Sequence, residues 1–248
     1  MVLPMPILTT AQPPGTPTWL TLATTDLDAA MAFHHALFSW DFAVSGGAAV
    51  CLLDGRPVAA LTGGTPDPPT WTVHFATEDC AGTAASVVVA GGRLVAPVRE
   101  VDGATVAEAE DPTGARFGLW QARGRIGCEV VNEPNSLVRN DLATPDAAAA
   151  RAFYAEVFDF TLDGNQDLPD FDFTFLRRRD GHEIGGIFAN PGGSPFWNTT
   201  FEVADTDEAV ARAVAAGATT TAPEDMVYGR IATVTAPWGT EISVIARP

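Results

Sequence analysis

Four histidines and three cysteines are the side chains of this sequence best suited to hold a metal, move a proton or attack a substrate. The cysteines, Cys51, Cys80 and Cys128, are odd in number and scattered, and their spacing matches no metal-ligand pattern. They fit a reducing compartment. His34 and His35 lie in a run of helical spacing, and His182 follows an Asp-Gly pair. His74 falls inside Trp71–Ala76, a run that reads as a strand, and is the histidine placed to contact a ligand or act as a base. The sequence contains no glycine-rich phosphate loop and no nucleophile elbow. The run Arg177-Arg178-Arg179 beside a hairpin turn reads as a solvated strand edge that discourages pairing.

Charge narrows the partners. The 248 residues carry a formal charge of -17, and all 14 basic residues are arginine. Binding to nucleic acid or anionic lipid requires cations that neutralise phosphate, so neither a nucleic acid nor a membrane is expected as partner. Residues 1–15 contain no charge and four prolines (Pro4, Pro6, Pro13, Pro14), which lacks the basic start and apolar run of a secretory signal. They read as a flexible arm. No stretch approaches the roughly 18 apolar residues needed to cross a bilayer, and a cytoplasmic protein is expected.

The elements that must position these side chains come in two copies. Thr24-Thr25-Asp26-Leu27-Asp28-Ala29-Ala30 leading to Phe33 recurs 120 residues on as Thr144-Pro145-Asp146 and four alanines leading to Phe153. Leu37-Phe38-Ser39-Trp40 recurs at the same shift as Val157-Phe158-Asp159-Phe160. Asp54-Gly55, Trp71 and Ala90-Gly91 return 126 residues on as Asp180-Gly181, Trp197 and Ala216-Gly217, so the second copy has gained about six residues around Gly164–Asp170. Within each copy a short strand precedes a helix capped by Asp26 or Asp146, and Asp-Gly hairpins follow. A second strand, an Ala/Val-rich helix stopped by Gly91 or Gly217, and a closing hairpin complete the copy. The expectation is an α+β chain of four βαβββ modules. They group into a first domain over 16–128 (modules about 16–65 and 70–122) and a second over 129–248 (modules about 136–190 and 195–247). Trp71 and Trp197, equivalent in the two copies, are expected to be structural.

Three motifs then carry a resemblance: Leu20-Thr21-Leu22-Ala23-Thr24-Thr25-Asp26 running to Phe33, its echo ending in Phe153-Tyr154, and the late turn Asp111-Pro112-Thr113-Gly114. Over nearly everything after Gly15 the chain resembles the vicinal oxygen chelate superfamily of glyoxalase I, extradiol dioxygenases, fosfomycin-resistance enzymes and bleomycin-binding proteins. The resemblance implies tandem glyoxalase/bleomycin-resistance-like domains with curved mixed sheets around cavities. It also implies metal ligands on inward positions of the first and last strands of each module. Those positions hold Trp19 and Arg139, Thr72 and Asn198, Gly118 and Ser243, and either Ala59 or Ala60 and Gly185 or Gly186. Neither domain offers a converging set of imidazoles and carboxylates, so no cofactor and no divalent metal are expected.

Alternation along strands extends those positions. In the first domain Trp19 brings Thr21, Thr72 brings His74, and Gly118 brings Arg116 and Trp120. Two indoles near a His either sandwich a planar ligand or fill the space a metal would have taken. In the second domain Arg139 brings Asp141, Asn198 brings Thr200, and Ser243 brings Glu241. There Arg139 either forms a structural ion pair with Asp141 or Glu241, or, together with Asn198, holds a carbonyl or enolate oxygen while Asp141 or Glu241 moves a proton. The leading expectation is metal-independent binding of a hydrophobic or aromatic small molecule, a secondary metabolite or antibiotic, of the sequestration or resistance type. The alternative is an enzyme of secondary metabolism with Asp141, Glu241 or His74 as proton carriers: a metal-free isomerase, cyclase or lyase, or a divergent metal-dependent lyase or dioxygenase. The covalent tandem suits a monomeric pseudo-dimer, with a homodimer as the other form.

Overall fold

The computed structural model describes residues 7–65, 69–164 and 171–248. The first copy runs β1 (Pro17–Thr24), α1 (Leu27–Phe38), β2 (Asp41–Ser45), β3 (Ala48–Leu53), β4 (Arg56–Gly63), β5 (Thr72–Ala76), α2 (Cys80–Val89), β6 (Arg93–Val101), β7 (Ala104–Glu110) and β8 (Arg116–Ala122). The second runs β9 (Leu137–Thr144), α3 (Ala147–Phe158), β10 (Thr161–Gly164), β11 (Phe173–Arg177), β12 (Glu183–Ala189), β13 (Phe196–Glu202), α4 (Thr206–Ala215), β14 (Thr219–Thr220), β15 (Glu224–Met226), β16 (Gly229–Thr235) and β17 (Glu241–Ala246). The six-residue insertion lies mostly outside the described residues.

The two sheets share one topology. Their orders are β2-β3-β4-β1-β5-β8-β7-β6 and β10-β11-β12-β9-β13-β17-β16-β14, with β15 added to β16. In each, the first strands of the two modules meet antiparallel at the centre, β1 with β5 and β9 with β13. A parallel partner flanks each of them, as β4 flanks β1 and β17 flanks β13. Four aspartates start the four helices: Asp26, Asp79, Asp146 and Asp205 each accept a hydrogen bond from the amide three residues on, at 2.9 to 3.0 Å. Such a cap contributes about 1 kcal/mol. Asp54 and Gly55 join β3 to β4 in a two-residue turn with φ of 49° and 76°, the left-handed pair that matches strand twist.

Alternation gives the central strands a helix-covered face and an open face. Leu20, Leu22, Phe75 and Phe117 of the first sheet, and Trp197, Phe201, Ile242 and Val244 of the second, are buried in one core that spans both domains. Helix α1 meets α4 and α2 meets α3 across it. The equivalent tryptophans are both there: Trp197 donates to Tyr154 Oη (2.9 Å), and Trp71 meets His34 edge to face at 5.4 Å. His34 is buried in this shared core, while His35 is exposed.

Two expectations need correction. The arm expected to be flexible over 1–15 is fastened from Ile7 onward: Ile7 bridges Val130, Leu8 N–H donates to Glu129 O, and Gly15 N–H donates to Ala76 O. Residues 1–6 lie outside the described residues. The arginine run is not one solvated edge, because β10 covers β11. Arg177 turns to carboxylates within the second domain, Arg178 donates to Thr16 Oγ1 across the domains, and only Arg179 is largely exposed. No helix among the described residues is long and apolar enough to cross a membrane.

Candidate functional site on the open face of the second domain

The open face of the first domain is filled. Trp19 and Trp120 are buried with centroids 5.4 Å apart and planes tilted by 37°. A sandwiched ring needs two van der Waals contacts, roughly 7 Å between planes, so these indoles leave no slot. They pack with Ala60, Ala104, Val106 and Cys128 in a satellite cluster. The segment joining the domains closes it: Trp120 donates to Arg125 O, the Arg125 guanidinium lies 5.9 Å from the Trp19 ring, and Cys128 N–H donates to Thr18 O. That closure depends on the segment that follows β8, outside either strand, which strand alternation could not reveal.

Beneath this cluster His74 faces Thr21, with Nε2 2.9 Å from Thr21 Oγ1, and Thr72 pairs in register with Thr21. Burial holds the His74 imidazole down at about 4, so it is neutral at physiological pH. Gly118 is required beside it, because a Cβ there would lie 1.9 Å from His74 Nδ1. Arg116, expected on the same face, pairs with Glu110 at 3.1 Å.

The second domain is different. Register places Gly186 beside Asp141, Asp141 beside Asn198, Arg139 beside Thr200, and Thr200 beside Ser243. The expected polar residues therefore do converge on one face. Arg139 Nε donates to both oxygens of Asp141 at 2.8 and 2.7 Å, and Asn198 Nδ2 donates to Ser243 Oγ at 3.0 Å. Glu241 is the exception. It is exposed and accepts from Thr235 Oγ1 at 3.4 Å, and Asn198 separates it from Asp141 by two strand spacings, roughly 10 Å.

The second carboxylate on Arg139 is Glu183, reached by Arg139 Nη1. Counting by twos from Gly186 selects Ile184, not Glu183. The ladder between β11 and β12 shifts at Leu176/Arg177, and Gly185 adopts φ of 149° where a Cβ would strike Asn140 O at 2.0 Å. This bulge sends Ile184 into the core and turns Glu183 to the open face. The adjacent pair Gly185-Gly186 was the available signal, since glycine inside a strand marks a bulge or close approach.

Arg177 extends the network, pairing with Glu183 at 3.1 Å and Asp163 at 2.5 Å. Burial raises the Asp141 carboxyl above its ordinary range, and Arg139 pulls the other way. Burial also works against the Arg139 charge, but Asp141 and Glu183 outweigh it and hold the guanidinium above its ordinary value. Its Nη2 group is buried and has no hydrogen-bond partner among the described residues.

Four phenyl rings line the rest of this face. Phe173 and Phe188 are nearly parallel (11°, 6.4 Å), Phe171 stacks on Phe173 at 6.0 Å, and Phe175 meets Phe173 at 5.0 Å. Arg139 lies 5.6 Å from the Phe173 ring and 5.5 Å from Phe175. The rings remain half-exposed or exposed, in contrast to the indoles of the first domain. Gly186 makes room for one of them, since a Cβ there would meet the Phe173 ring at 2.2 Å. Arg139 and Glu183 also line a cleft of about 120 Å³ that opens where the arm, the joining segment, β9 and β12 meet, together with Leu8, Thr18 and Asn140. It is well below the ~300 Å³ of ordinary ligand sites.

The chain is 36% identical over 247 residues, covering 93% of this chain and 94% of that protein, to the "Putative glyoxylase CFP32" of Mycobacterium tuberculosis (strain CDC 1551 / Oshkosh). The family model described as "Glyoxalase/Bleomycin resistance protein/Dioxygenase superfamily" matches residues 135–244. The chain belongs to this superfamily. It is also 31% identical over 260 residues, covering 94% of this chain and 93% of that protein, to the "Anthracycline biosynthesis protein DnrV" of Streptomyces peucetius. Among solved structures, the Mn(II)-bound glyoxalase from Novosphingobium aromaticivorans shares the fold, with a TM-score of 0.67 at 18% identity over 93% of this chain and 82% of that one.

The metal that such a member carries can be tested against these residues. In the second domain the corresponding positions present Arg139, Asn198, Ser243 and Gly186: a cation, two neutral groups and no side chain. The carboxylates nearby are engaged by arginine. In the first domain His74 stands in register with Trp19 and Gly118, and Thr21, which its ring contacts, pairs with Ala60. Neither donor set fits a divalent cation.

Proposed function

We propose that the chain binds an aromatic small molecule on the open face of its second domain, with side chains in place of a metal as the recognising groups. The observation that carries this reading is the cluster of incompletely buried phenyl rings beside a clamped arginine. Apolar rings left in contact with solvent around a few fixed polar groups are the composition of a ligand site. The first domain, its open face plugged by Trp19 and Trp120, serves as scaffold through the shared core. The match of the family model to residues 135–244 and the similarity to a protein named for anthracycline biosynthesis support a fused-ring ligand of secondary metabolism.

An anthracycline aglycone, followed by its own visible fluorescence, provides the test. Saturable binding is expected, and Phe173→Ala or Phe175→Ala should each weaken it about tenfold, the size of a moderate aromatic anchor. No saturable change with wild type, or unchanged affinity in both variants, would sink the proposal. A second reading, chemical turnover, is favoured by the elevated Asp141 carboxyl, a proton donor or acceptor paired with the arginine that lies against the rings. Product analysis separates the two: conversion by wild type and its loss in Asp141→Asn with binding retained would make the site catalytic.

A further inference from the structure

We infer that Arg139 is the group by which this face selects its ligand: a guanidinium standing where the superfamily fold would place a metal, and taking a neutral carbonyl or phenolic oxygen on an aromatic ring. This rests on the aromatic site proposed above. Arg139 occupies the first-strand position of its module and lies in register between Ser243, through Thr200, and β12. A cation at the centre of the face has therefore replaced donors for one.

The guanidinium is preorganised. Asp141 takes Nε with both oxygens, Glu183 takes Nη1, and the Phe173 and Phe175 rings lie at 5.6 and 5.5 Å. The planar fork cannot rotate without breaking several of these contacts. Nη2 is left over, buried and unpartnered among the described residues. A buried charged donor without an acceptor is costly, so a ligand oxygen arriving there satisfies a group that the described side chains leave unpaired. The Phe173 and Phe175 rings lie against the same guanidinium, so an aromatic ligand that places its oxygen there also meets a phenyl ring.

Charge then sets the class of oxygen. Arg139 and Arg177 face three carboxylates, Asp141, Glu183 and Asp163, so the network already carries one negative charge in excess. A carboxylate ligand would add a negative charge beside two acids in a chain of net charge -17. A ketone, quinone or phenol adds none, and its oxygen accepts from Nη2 equally directly.

Three ligands of one size read this out: 2-acetylnaphthalene, 2-ethylnaphthalene and 2-naphthoate, with dissociation constants measured by equilibrium dialysis against the full chain. Wild type should bind the ketone about tenfold more tightly than the hydrocarbon, the scale of one hydrogen bond to a charged donor, and naphthoate more weakly than the ketone. Arg139→Met should bring the ketone-to-hydrocarbon ratio near one, a ratio that is independent of any common change in affinity for the two ligands. Should the single variant fail to fold because Asp141 loses its partner, Arg139→Met/Asp141→Leu removes both charges and gives the same reading. Hydrocarbon binding with no ketone preference in wild type overturns the inference alone, as does a preference that survives in the variant or tightest binding of naphthoate. Failure of wild type to bind any of the three overturns the aromatic site itself.

Discussion

Acidification should destabilise this protein through two buried imidazoles, and the size of the effect follows from their surroundings. His34 and His74 are each almost fully buried, and burial holds both pKa values down at about 4, against an ordinary 6.5. A folded-state pKa below the unfolded one means that the stabilising contribution is complete above pH 6.5. It is lost as pH falls towards 4, because the unfolded chain takes up protons first. Between pH 7 and pH 5 each ring should cost about 2 kcal/mol, and the two together about 4. Urea unfolding at the two pH values measures the sum, and His74→Gln should remove about 2 kcal/mol of the difference. The raised carboxyls of Asp111 and Asp141 act in the opposite sense but are common to wild type and variant, so the comparison isolates the imidazole. A His74 ring that titrates near 6.5 by NMR, or a His74→Gln protein with the full pH dependence, would refute the reasoning.

Two further substitutions test the fold and the site separately. Trp120→Ala should cost about 3 to 5 kcal/mol of stability by emptying the plug of the first domain, without weakening aromatic binding to the second; thermal unfolding and the aglycone titration check the two halves. Gly185→Ala should cost about 2 kcal/mol or more, since the added Cβ meets the Asn140 carbonyl. The neighbouring Gly186→Ala meets only the Phe173 ring, which can swing away, so it should weaken ligand binding more than it lowers the unfolding midpoint.

The sequence by itself determined whatever depends on neighbours a few residues apart or on repetition. The duplication, the capping aspartates, the Asp54-Gly55 turn and the alternation that brings Arg139, Asp141, Asn198 and Ser243 to one face are local patterns, and helices and strands obey them wherever they lie. The structural role of Trp71 and Trp197 followed from their equivalence, because both copies must cover the same core. The tertiary structure alone decided which face is open. The segment after β8 crosses back to seal Trp19 and Trp120, a contact between parts of the chain that no periodicity relates. It also decided which acid clamps Arg139: the bulge at Gly185 shifts the strand by one residue and so exchanges Ile184 for Glu183, while Glu241, correct in parity, stands two strands too far away. A one-residue slip reverses every side chain beyond it. The period of two could therefore name the face of the site, but the partners across it depended on where that period breaks.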